Sequence, residues 1–318
     1  MNNTNSLKDK TSIIIVSWNC REALRRCLKS LEGETEKESE IIVCDNASSD
    51  GTVEMLRKDF PHVRVIENIE NLGFGIANNM AADATDASRL FVLNPDTEVM
   101  PGAVKRLNEF LRNNREAGIA APLIMDESEN AVPSVFRFPN IINYWTEHSI
   151  ILPLINKFRK MTGLHKKIKT GSPMKVDWAT GAAIMVRREA LGGEPLFDPM
   201  FFMYSEDADL CKRLADKRWG CYLVPEARIV HFHRGSSMKA LSFTIFHHFH
   251  SMQLYYEKHK SKRAKFCLRL AITVDMLLRI IIITLLSPGG SKKNQARLKG
   301  YKRELSSIFF SKIESLEQ

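Results

Sequence analysis

The sequence predicts an α/β protein with a mostly parallel central sheet, helices on both faces and a helical C-terminal extension. Three observations support this class. Strand-length apolar runs alternate with helical patterns from residue 11 onward, the connections between them are short, and polar residues follow directly after several of the runs. Such alternation is typical of sheets whose parallel strands are joined by helices packed on either face.

The predicted strands are continuous apolar runs rich in β-branched residues. The runs TSIIIVS and RLFVLN are the clearest examples. A continuous run, rather than an alternating one, indicates a strand that is buried on both faces. In chain order, the predicted strands span residues 11–17, 41–44, 63–67 and 89–94.

The segments between these strands carry apolar residues at helical spacing. The first stripe ends at Gly33, Pro61 stops the second helix, and Pro101 suits the first turn of a further helix. The predicted helices span residues 21–33, 52–60 and 73–84, with another starting at Pro101.

The second half of the chain divides into three parts. Residues 176–191 predict a strand, a turn and a second strand that leads into a short helix, and residues 240–318 look mainly helical. Residues 140–172 are irregular and basic, which favours a mobile loop. The predicted organisation is therefore a polar tail at 1–10, a main domain at 11–239 and a basic helical region at 240–318.

Polar residues cluster where the predicted strands end. Three groups lie at strand ends, namely Ser17-Trp18-Asn19, Asp45-Asn46 and Asn94-Pro95-Asp96. Ligands bind at the carboxyl ends of strands in open α/β sheets. Asn94 and Asp96 offer hard oxygen ligands of the kind that Mg²⁺ or Mn²⁺ shares with phosphates. His231 or His233 could complete such a site. We therefore expect one crevice with a cation site, although each strand end alone could be an ordinary turn.

A group of acids follows the aromatic run FFMY. Helix capping and the helix dipole explain one of the three carboxylates Glu206, Asp207 and Asp209. They account less well for Glu206 and Asp207 directly after bulky apolar residues, where desolvation would raise a carboxyl pKa and suit it to base catalysis.

Composition indicates an ordinary soluble chain with an unusual distribution of charge. Hydrophobic residues make up 44% and charged residues 26% of the chain. The polar first ten residues predict no secretory signal, and six scattered cysteines without a Cys-x-x-Cys pair favour a reducing cytoplasm. Residues 251–318 carry 14 Lys/Arg and 5 Asp/Glu, so the entire net charge of +9 lies there. An anionic partner is expected.

Residues 265–287 form a long apolar segment interrupted by charges. On a helical wheel Lys265, Arg269, Asp275 and Arg279 fall within about a third of the circumference. A narrow polar stripe and a wide apolar face are typical of a helix lying in a membrane interface. Packing against the chain's own domain or a second subunit is the alternative. Nucleic acid is disfavoured, because the segment has few aromatic residues.

Seven motifs occur in an order that resembles glycosyltransferase family 2, and most closely its bacterial rhamnosyltransferase branch of cell-envelope polysaccharide synthesis. They are TSIIIVSWN, IIVCDNASSDGT, NLGFGIANN, VLNPDTEV, WATGAAIMVRREAL, FFMYSEDADLCKRL and HFHRGSS, and they cover roughly residues 11–237. The resemblance implies a GT-A, Rossmann-like fold and an inverting transfer from a dTDP- or UDP-sugar, with dTDP-rhamnose favoured. It also implies a glycan or polyprenyl-linked glycan acceptor and an enzyme attached peripherally to the cytoplasmic face of the inner membrane.

The resemblance also implies roles for individual residues. Asp207 matches the catalytic base, with Glu206 beside it, and Asp96 would hold Mg²⁺ or Mn²⁺ with His231. Trp178 and Gly181 would lie on the acceptor side. The residues implied in nucleotide-sugar binding are Ser17, Trp18, Asn19, Asp45, Asn71, Gly73, Asn79, Asn94 and Asp96.

Two departures from the family pattern affect these expectations. Asn94 replaces the first Asp of the metal motif, and Arg218-Trp219 lacks the Gln of the Gln-x-x-Arg-Trp element of processive synthases. Single addition of a sugar is therefore favoured over polymerisation. A nucleotidyl- or phosphoryl-transfer enzyme and a non-catalytic membrane or glycan adaptor remain as alternatives, and a homo-oligomer is left open.

Overall fold

A computed structural model describes residues 10–34, 39–147, 149–150, 171–232, 241–286 and 291–309. The chain divides into two compact units. The first comprises residues within Met1–Phe138, Ile168–Phe202 and Glu206–Ser236, and the second comprises residues within Pro139–Lys167, Met203–Ser205 and Ser237–Gln318. The predicted boundary at residue 239 stays a prediction, because it falls outside the described ranges.

The secondary structure follows the predicted alternation through the first unit. The strands are β1 (Thr11–Ser17), β2 (Glu40–Asp45), β3 (Arg64–Glu67), β4 (Arg89–Leu93), β5 (Thr97–Val99), β6 (Ala117–Met125), β7 (Val135–Phe136), β8 (Met174–Val176), β9 (Trp178–Ala179), β10 (Ala183–Arg187) and β11 (Gly220–His231). The helices are α1 (Arg21–Ser30), α2 (Thr52–Asp59), α3 (Gly73–Asp83), α4 (Ala103–Asn113), α5 (Ile141–Glu147), α6 (Arg188–Leu191), α7 (Glu206–Asp216), α8 (Leu241–His259), α9 (Lys262–Leu286) and α10 (Lys292–Phe309).

The first unit is built on a mixed, mostly parallel sheet in the order β3-β2-β1-β4-β10-β6-β11-β5, with β8 also paired to β11. Strands β3, β2, β1 and β4 are parallel, and β6 and β11 are parallel to each other. Strand β10 lies antiparallel between β4 and β6. The predicted α/β class with a mostly parallel sheet is confirmed.

Strand periodicity of two divides the core into two layers, one on each face of the sheet. Ile13 and Ile15 of β1 pack with α1, α2 and α4 on one face, whereas Ile14 and Val16 pack with α3, α6 and α7 on the other. Both faces are therefore covered by helices, which explains why the strand sequences are continuously apolar rather than alternating.

Strands β6 and β11 have no counterpart in the predicted elements. Strand β6, AGIAAPLIM, is fully buried, but its small residues and internal proline hide the usual strand signal. Pro122 lies opposite Val224, and the pairing resumes at Arg228 after an irregularity in β11. Because neither Pro122 nor Pro225 can donate a ladder hydrogen bond, the register shift accommodates both, and β11 continues through Pro225 to His231.

Two other expectations differ from the structure. Helix α4 begins at Ala103, after Gly102 with φ 77°, so Pro101 lies in the preceding turn rather than in the first helical turn. Residues Ile141–Glu147 form a helix within the segment that was expected to be a loop. The basic residues 157–169 of that segment lie outside the described ranges.

The second unit is helical over its described residues, in agreement with the sequence pattern. Helices α8, α9 and α10 pack against one another, and α9 also contacts α5. Buried apolar residues of α8 and α9 include Phe249, Tyr255, Leu268, Ile272 and Met276.

Candidate active site

The carboxyl ends of β1 and β2 are joined through Asp45. Ser17 is the register partner of Asp45 in the parallel ladder, and its Oγ donates to Asp45 Oδ2 at 2.7 Å. Ser48 donates twice, from Oγ to Oδ2 at 2.6 Å and from its backbone N–H to Oδ1 at 2.8 Å. Asp45 is only 1% exposed, so three donors satisfy a carboxylate that is otherwise withdrawn from water.

The loop after β1 is tied to the loop after β2. The backbone N–H of Asn19 donates to Ser48 Oγ at 2.8 Å, and Ser49 N–H donates to Asn19 Oδ1 at 2.8 Å. Asn19 has φ 50°, a left-handed conformation that Asn tolerates better than most residues. Trp18, between Ser17 and Asn19 in the chain, is 42% exposed. Its indole is therefore available to a ligand at this edge of the sheet.

The glycine-containing loop before α3 packs against the segment that precedes the acids. Gly73 has φ 82°, and a Cβ at this position would lie 2.5 Å from the carbonyl oxygen of Phe202. Its N–H donates to Asn71 Oδ1 at 2.9 Å, and Asn46 Nδ2 donates to its carbonyl oxygen at 3.0 Å. Phe74 N–H donates to the same Phe202 carbonyl at 2.9 Å. Only glycine fits this close approach.

Asn79 uses its side chain to bind the main chain. Its Nδ2 donates to Phe197 O at 2.7 Å and its Oδ1 accepts from Phe197 N–H at 2.8 Å. Asn79 therefore positions the segment around Phe197 against α3. Its implied contact with a nucleotide-sugar stays a prediction.

Asp96 and His231 meet at the end of the sheet. Strands β5 and β11 pair Thr97 with His231, and His231 Nε2 lies 3.0 Å from Asp96 Oδ1. The two side chains are 20% and 11% exposed, respectively. A carboxylate oxygen and an imidazole nitrogen, both reachable from solvent, suit Mn²⁺ or Mg²⁺.

This pair fits a cation that is completed by other ligands. Within the described ranges, no group of three or more His, Cys, Asp or Glu side chains could hold a metal ion. The protein would supply two ligands, and the phosphates of a substrate and water would supply the others, as is common for Mg²⁺. His233, the alternative ligand, lies outside the described residues.

The acids after the aromatic run occupy three different environments at the start of α7. Asp207 Oδ2 accepts from Gly181 N–H at 2.9 Å, and its Oδ1 accepts from Ala208 N–H at 2.8 Å. Burial raises the pKa of Asp207, and these backbone donors partly oppose the increase. Asp209 is fully buried in an ion pair with Arg213 at 2.8 Å, so this third acid has a structural role.

Glu206 is the most isolated of the three carboxyls. It is 7% exposed, and its Oε2 atom is buried without a hydrogen-bond partner. Desolvation, followed by the charge of Asp207, raises the pKa of Glu206 well above its ordinary value. The preceding residues Tyr204 and Ser205 have φ 69° and 63°, so the backbone enters α7 through two strained positions.

The turn at residues 180–182 connects these parts. Besides the Gly181 hydrogen bond to Asp207, the backbone N–H of Asn94 donates to Ala182 O at 2.8 Å. A Cβ on Gly181 would lie 3.5 Å from both Asp207 Cβ and Phe74 Cε1. The turn therefore holds the acid, the tip of β4 and the glycine-containing loop together.

Trp178 stands beside this turn on a small two-stranded sheet. Its ring stacks on Phe136 with 4.6 Å between centroids, and its Nε1–H donates to Arg137 O at 2.8 Å. The acceptor-side roles of Trp178 and Gly181 stay predictions.

Sequence reasoning placed Asn46 at the site with Asp45, and Asn46 binds the carbonyl oxygen of Gly73. It missed Ser48 and the main chain of Phe202, which hold Asp45 and the start of α3 in place. Ser48 and Ser49, which follow Asp45 closely in the chain, could have indicated a turn in which side chains bind the backbone around Asp45.

Comparisons with known proteins agree with this geometry. A sequence model described as glycosyl transferase family 2 matches residues 12–192. The N-acetylglucosaminyl-diphospho-decaprenol L-rhamnosyltransferase of Mycobacterium tuberculosis is 31% identical over 236 residues, covering 71% of this chain and 76% of that protein. Rhamnosyltransferase WbbL of Escherichia coli K12 is 28% identical over 234 residues, covering 69% and 82%.

A solved structure supports the same fold. The crystal structure of GalNAc-T7 with UDP, GalNAc and Mn²⁺ superimposes with a TM-score of 0.56 at 15% identity, covering 94% of this chain and 56% of that chain. At this identity the likeness concerns the fold alone. With the GT-A architecture, the family match and the rhamnosyltransferase relatives in agreement, the chain belongs to glycosyl transferase family 2 and is a glycosyltransferase.

Proposed function

We propose that this enzyme transfers a deoxyhexose, with L-rhamnose favoured, from a dTDP- or UDP-sugar to a hydroxyl of a lipid-linked glycan. The named relatives support the sugar and the acceptor class, since one is a rhamnosyltransferase acting on N-acetylglucosaminyl-diphospho-decaprenol and another a rhamnosyltransferase. Such an acceptor belongs to cell-envelope polysaccharide synthesis. It requires the enzyme to work at the cytoplasmic face of the inner membrane.

One observation carries the proposal. The turn at 180–182 binds Asp207 through Gly181 N–H and binds the tip of β4 through Ala182 O. The residue assigned as the base and the loop that bears Asp96 are therefore fixed by the same three residues. A reaction that joins a hydroxyl to a sugar at a diphosphate needs both groups in one place.

In this mechanism Asp207 acts on the acceptor. Its carboxylate accepts the proton of the acceptor hydroxyl as that oxygen attacks the anomeric carbon. The new glycosidic C–O bond forms while the bond from the anomeric carbon to the diphosphate breaks, and the nucleoside diphosphate leaves with its electron pair. A single displacement of this kind inverts the anomeric configuration.

The other site residues bind and orient the donor. The exposed Trp18 ring and the Asp45 region are proposed for the nucleoside, and the loop at 71–74 for the sugar diphosphate. Asp96 and His231 would hold a divalent cation, which supplies charge stabilisation for the leaving phosphates when bound. The Mn²⁺ in the structure of GalNAc-T7 supports a divalent cation of this type.

Two alternatives make different predictions. A phosphoryl- or nucleotidyl-transfer enzyme would need cations in the loop after β1. Residues 17–20 contain none, and Arg21 is engaged with Glu22 and the backbone of Asp50. A non-catalytic adaptor would retain the fold without an organised acid, whereas Asp207 is held by two backbone donors.

To test the proposal, the purified protein is incubated with Mn²⁺ or Mg²⁺, a polyprenyl-diphosphate-linked N-acetylglucosamine and each of a panel of nucleotide-sugars. The measurement is the release of nucleoside diphosphate. We expect release from one donor, abolished in Asp207→Asn while donor binding by calorimetry is retained. Absence of both release and donor binding for every nucleotide-sugar would contradict the proposal and favour the adaptor.

A further inference from the structure

Helix α9 turns the second half of its polar stripe, Asp275 and Arg279, toward the protein. Asp275 is fully buried, its Oδ2 accepts from Arg279 Nε at 2.7 Å, and its Oδ1 accepts from Ile150 N–H at 2.6 Å. The guanidinium of Arg279 lies over the ring of Tyr301 in α10. The charges that interrupt this apolar helix therefore serve packing within the second unit.

The opposite side of α9 carries large apolar side chains that are exposed to solvent. These residues are between 40 and 77% exposed, and they recur at helical spacing along one face. We call them the outer face of α9, and they are Phe266, Leu270, Val274, Leu277, Leu278, Ile281, Ile282, Leu285 and Leu286. A contiguous apolar face of this size on a folded chain marks an interaction surface.

Helices α9 and α10, which pack against each other, carry basic residues on their exposed sides. Helix α10 contains six Lys/Arg and one acid, and that acid, Glu304, is fully buried. Lys262 and Arg263 begin α9 and are exposed. The two buried acids Asp275 and Glu304 leave the exposed sides of α9 and α10 with an excess of positive charge.

An exposed apolar face on a helix pair with an excess of exposed cations fits an anionic lipid bilayer. No helix of the described chain is long and apolar enough to cross a membrane, so α9 would lie in the plane of the interface. Apolar side chains then enter the acyl boundary while Lys and Arg contact the anionic headgroups. A symmetric contact with a second copy would instead bring two basic surfaces together, which is electrostatically unfavourable.

We infer that the outer face of α9 is a membrane-docking surface for anionic bilayers, with α10 and the start of α9 contacting the headgroups. This inference rests on the proposed function only in that a lipid-linked acceptor lies in a bilayer. The surface itself belongs to the second unit and contains none of the residues assigned to catalysis.

The test uses the full chain and flotation with two kinds of vesicle, phosphatidylcholine alone and phosphatidylcholine with an equal amount of phosphatidylglycerol. We expect binding to the anionic vesicles that weakens with salt. The double variant Leu277→Glu/Ile281→Glu should bind at least about tenfold more weakly, since charges would enter the acyl boundary. The charge variant Lys299→Glu/Lys302→Glu should weaken binding mainly at low salt.

The matched control is Ile69→Glu, because Ile69 is 98% exposed in the first unit and lies away from α9 in sequence. It should bind vesicles like the unmodified chain. All these positions are exposed, so thermal unfolding should change little. Equal vesicle binding by every variant would overturn the inference. It would also be overturned if the unmodified chain bound no vesicles and formed a dimer that the Leu277→Glu/Ile281→Glu variant did not form.

Donor binding separates this result from the proposed function. The outer-face variants should retain nucleotide-sugar binding by calorimetry. Intact vesicle binding without any donor binding would contradict the proposed function alone, and intact donor binding without vesicle binding would contradict the docking surface alone.

Discussion

Glu206 and Asp207 are neighbours in the chain, but their carboxyls are held differently. Asp207 has two backbone donors, whereas Glu206 has a buried oxygen with no hydrogen-bond partner. Burial raises the pKa of both, and the charge of Asp207 raises that of Glu206 further. In such a pair the group with donors ionises first, and its neighbour stays neutral.

This difference predicts how the two acids affect the rate. Glu206→Gln should keep most of the activity, because an amide replaces a neutral carboxyl of similar shape, whereas Asp207→Asn should lose at least about two orders of magnitude. The base must be ionised, so the rate should fall with decreasing pH at a higher pH than an ordinary Asp would give. The measurement is the pH profile of kcat/KM for the unmodified chain and both variants. Loss of activity in Glu206→Gln with retention in Asp207→Asn would reverse the assignment.

A second prediction concerns Gly73. Alanine at this position must adopt φ 82° and place a Cβ 2.5 Å from a backbone oxygen. We expect Gly73→Ala to reduce the free energy of unfolding by more than about 2 kcal/mol and to weaken donor binding. Gly33 is the matched control, because it has φ 84° with open space around the Cβ position. Gly33→Ala should reduce the free energy of unfolding by about 1 kcal/mol and leave donor binding intact. Equal effects from both would show that the contact with Phe202 is unimportant.

At the scale of elements, the long helices of the second unit are joined by buried polar contacts. Gln253 of α8 donates to Glu304 Oε1 of α10 at 2.6 Å in a fully buried environment. Desolvation raises the pKa of Glu304 to about 8. The hydrogen bond from Gln253 opposes this increase in pKa but does not cancel it, so α8 and α10 are joined at a carboxyl that stays protonated near neutral pH.

This contact predicts a pH-dependent stability. The unfolded chain releases the Glu304 proton near pH 4.5 and the folded chain near pH 8. Between these values the folded state holds a proton that the unfolded state has lost, so the free energy of unfolding decreases as pH rises. The slope approaches about 1.4 kcal/mol per pH unit.

Glu304→Gln should remove the contribution of Glu304 to this slope, so that the variant is more stable than the unmodified chain at pH 9 and similar at pH 5. Urea denaturation at both values is the measurement. The exposed Glu257 is the control position, since it pairs with Lys265 and Arg269 at the surface. Glu257→Gln should retain the slope. A stability of the unmodified chain that does not change between pH 5 and 9 would contradict the prediction.

Element packing also decides the position of His231. Strand β11 carries it to Asp96 after pairing with β6 and continuing through Pro225. The length and register of this strand, rather than any local motif, bring the imidazole to 3.0 Å from the carboxylate. A shift of the register by one residue would move His231 to the other face of the sheet.

At the scale of the whole molecule, the donor and its cation should stabilise the folded state. A ligand present at about one hundred times its Kd increases the free energy of unfolding by about 2.7 kcal/mol. We expect Mn²⁺ to increase the shift in Tm caused by the donor, because oxygens of the donor diphosphate would be ligands of the cation. Asp96→Asn should abolish the Mn²⁺-dependent part, and His231→Ala should reduce it. The exposed carboxylate of Asp216 is the control, and Asp216→Asn should leave the shift unchanged. An Mn²⁺ effect that survives both Asp96→Asn and His231→Ala would place the cation elsewhere.

The sequence alone determined the α/β class, the bounds of β1 to β4 within one residue, and the polar strand ends of the site. These features are local: continuous apolar runs fix β1 and β4, and turn residues follow them within a few positions. The predicted strand at 11–17 coincides with β1, and the predicted strand at 89–94 differs from β4 by one residue. The motif resemblance identified the same family that the comparisons show.

The tertiary structure decided what depends on distant contacts. It alone shows the contact of Gly181 with Asp207, 26 residues apart, and that of Asp96 with His231, 135 residues apart. It also shows that Asp275 of the polar stripe of α9 is buried, with its partner Ile150 125 residues away. Local patterns reveal which side chains share a face, but not what that face packs against. That choice depends on burial and hydrogen bonding summed over the folded chain.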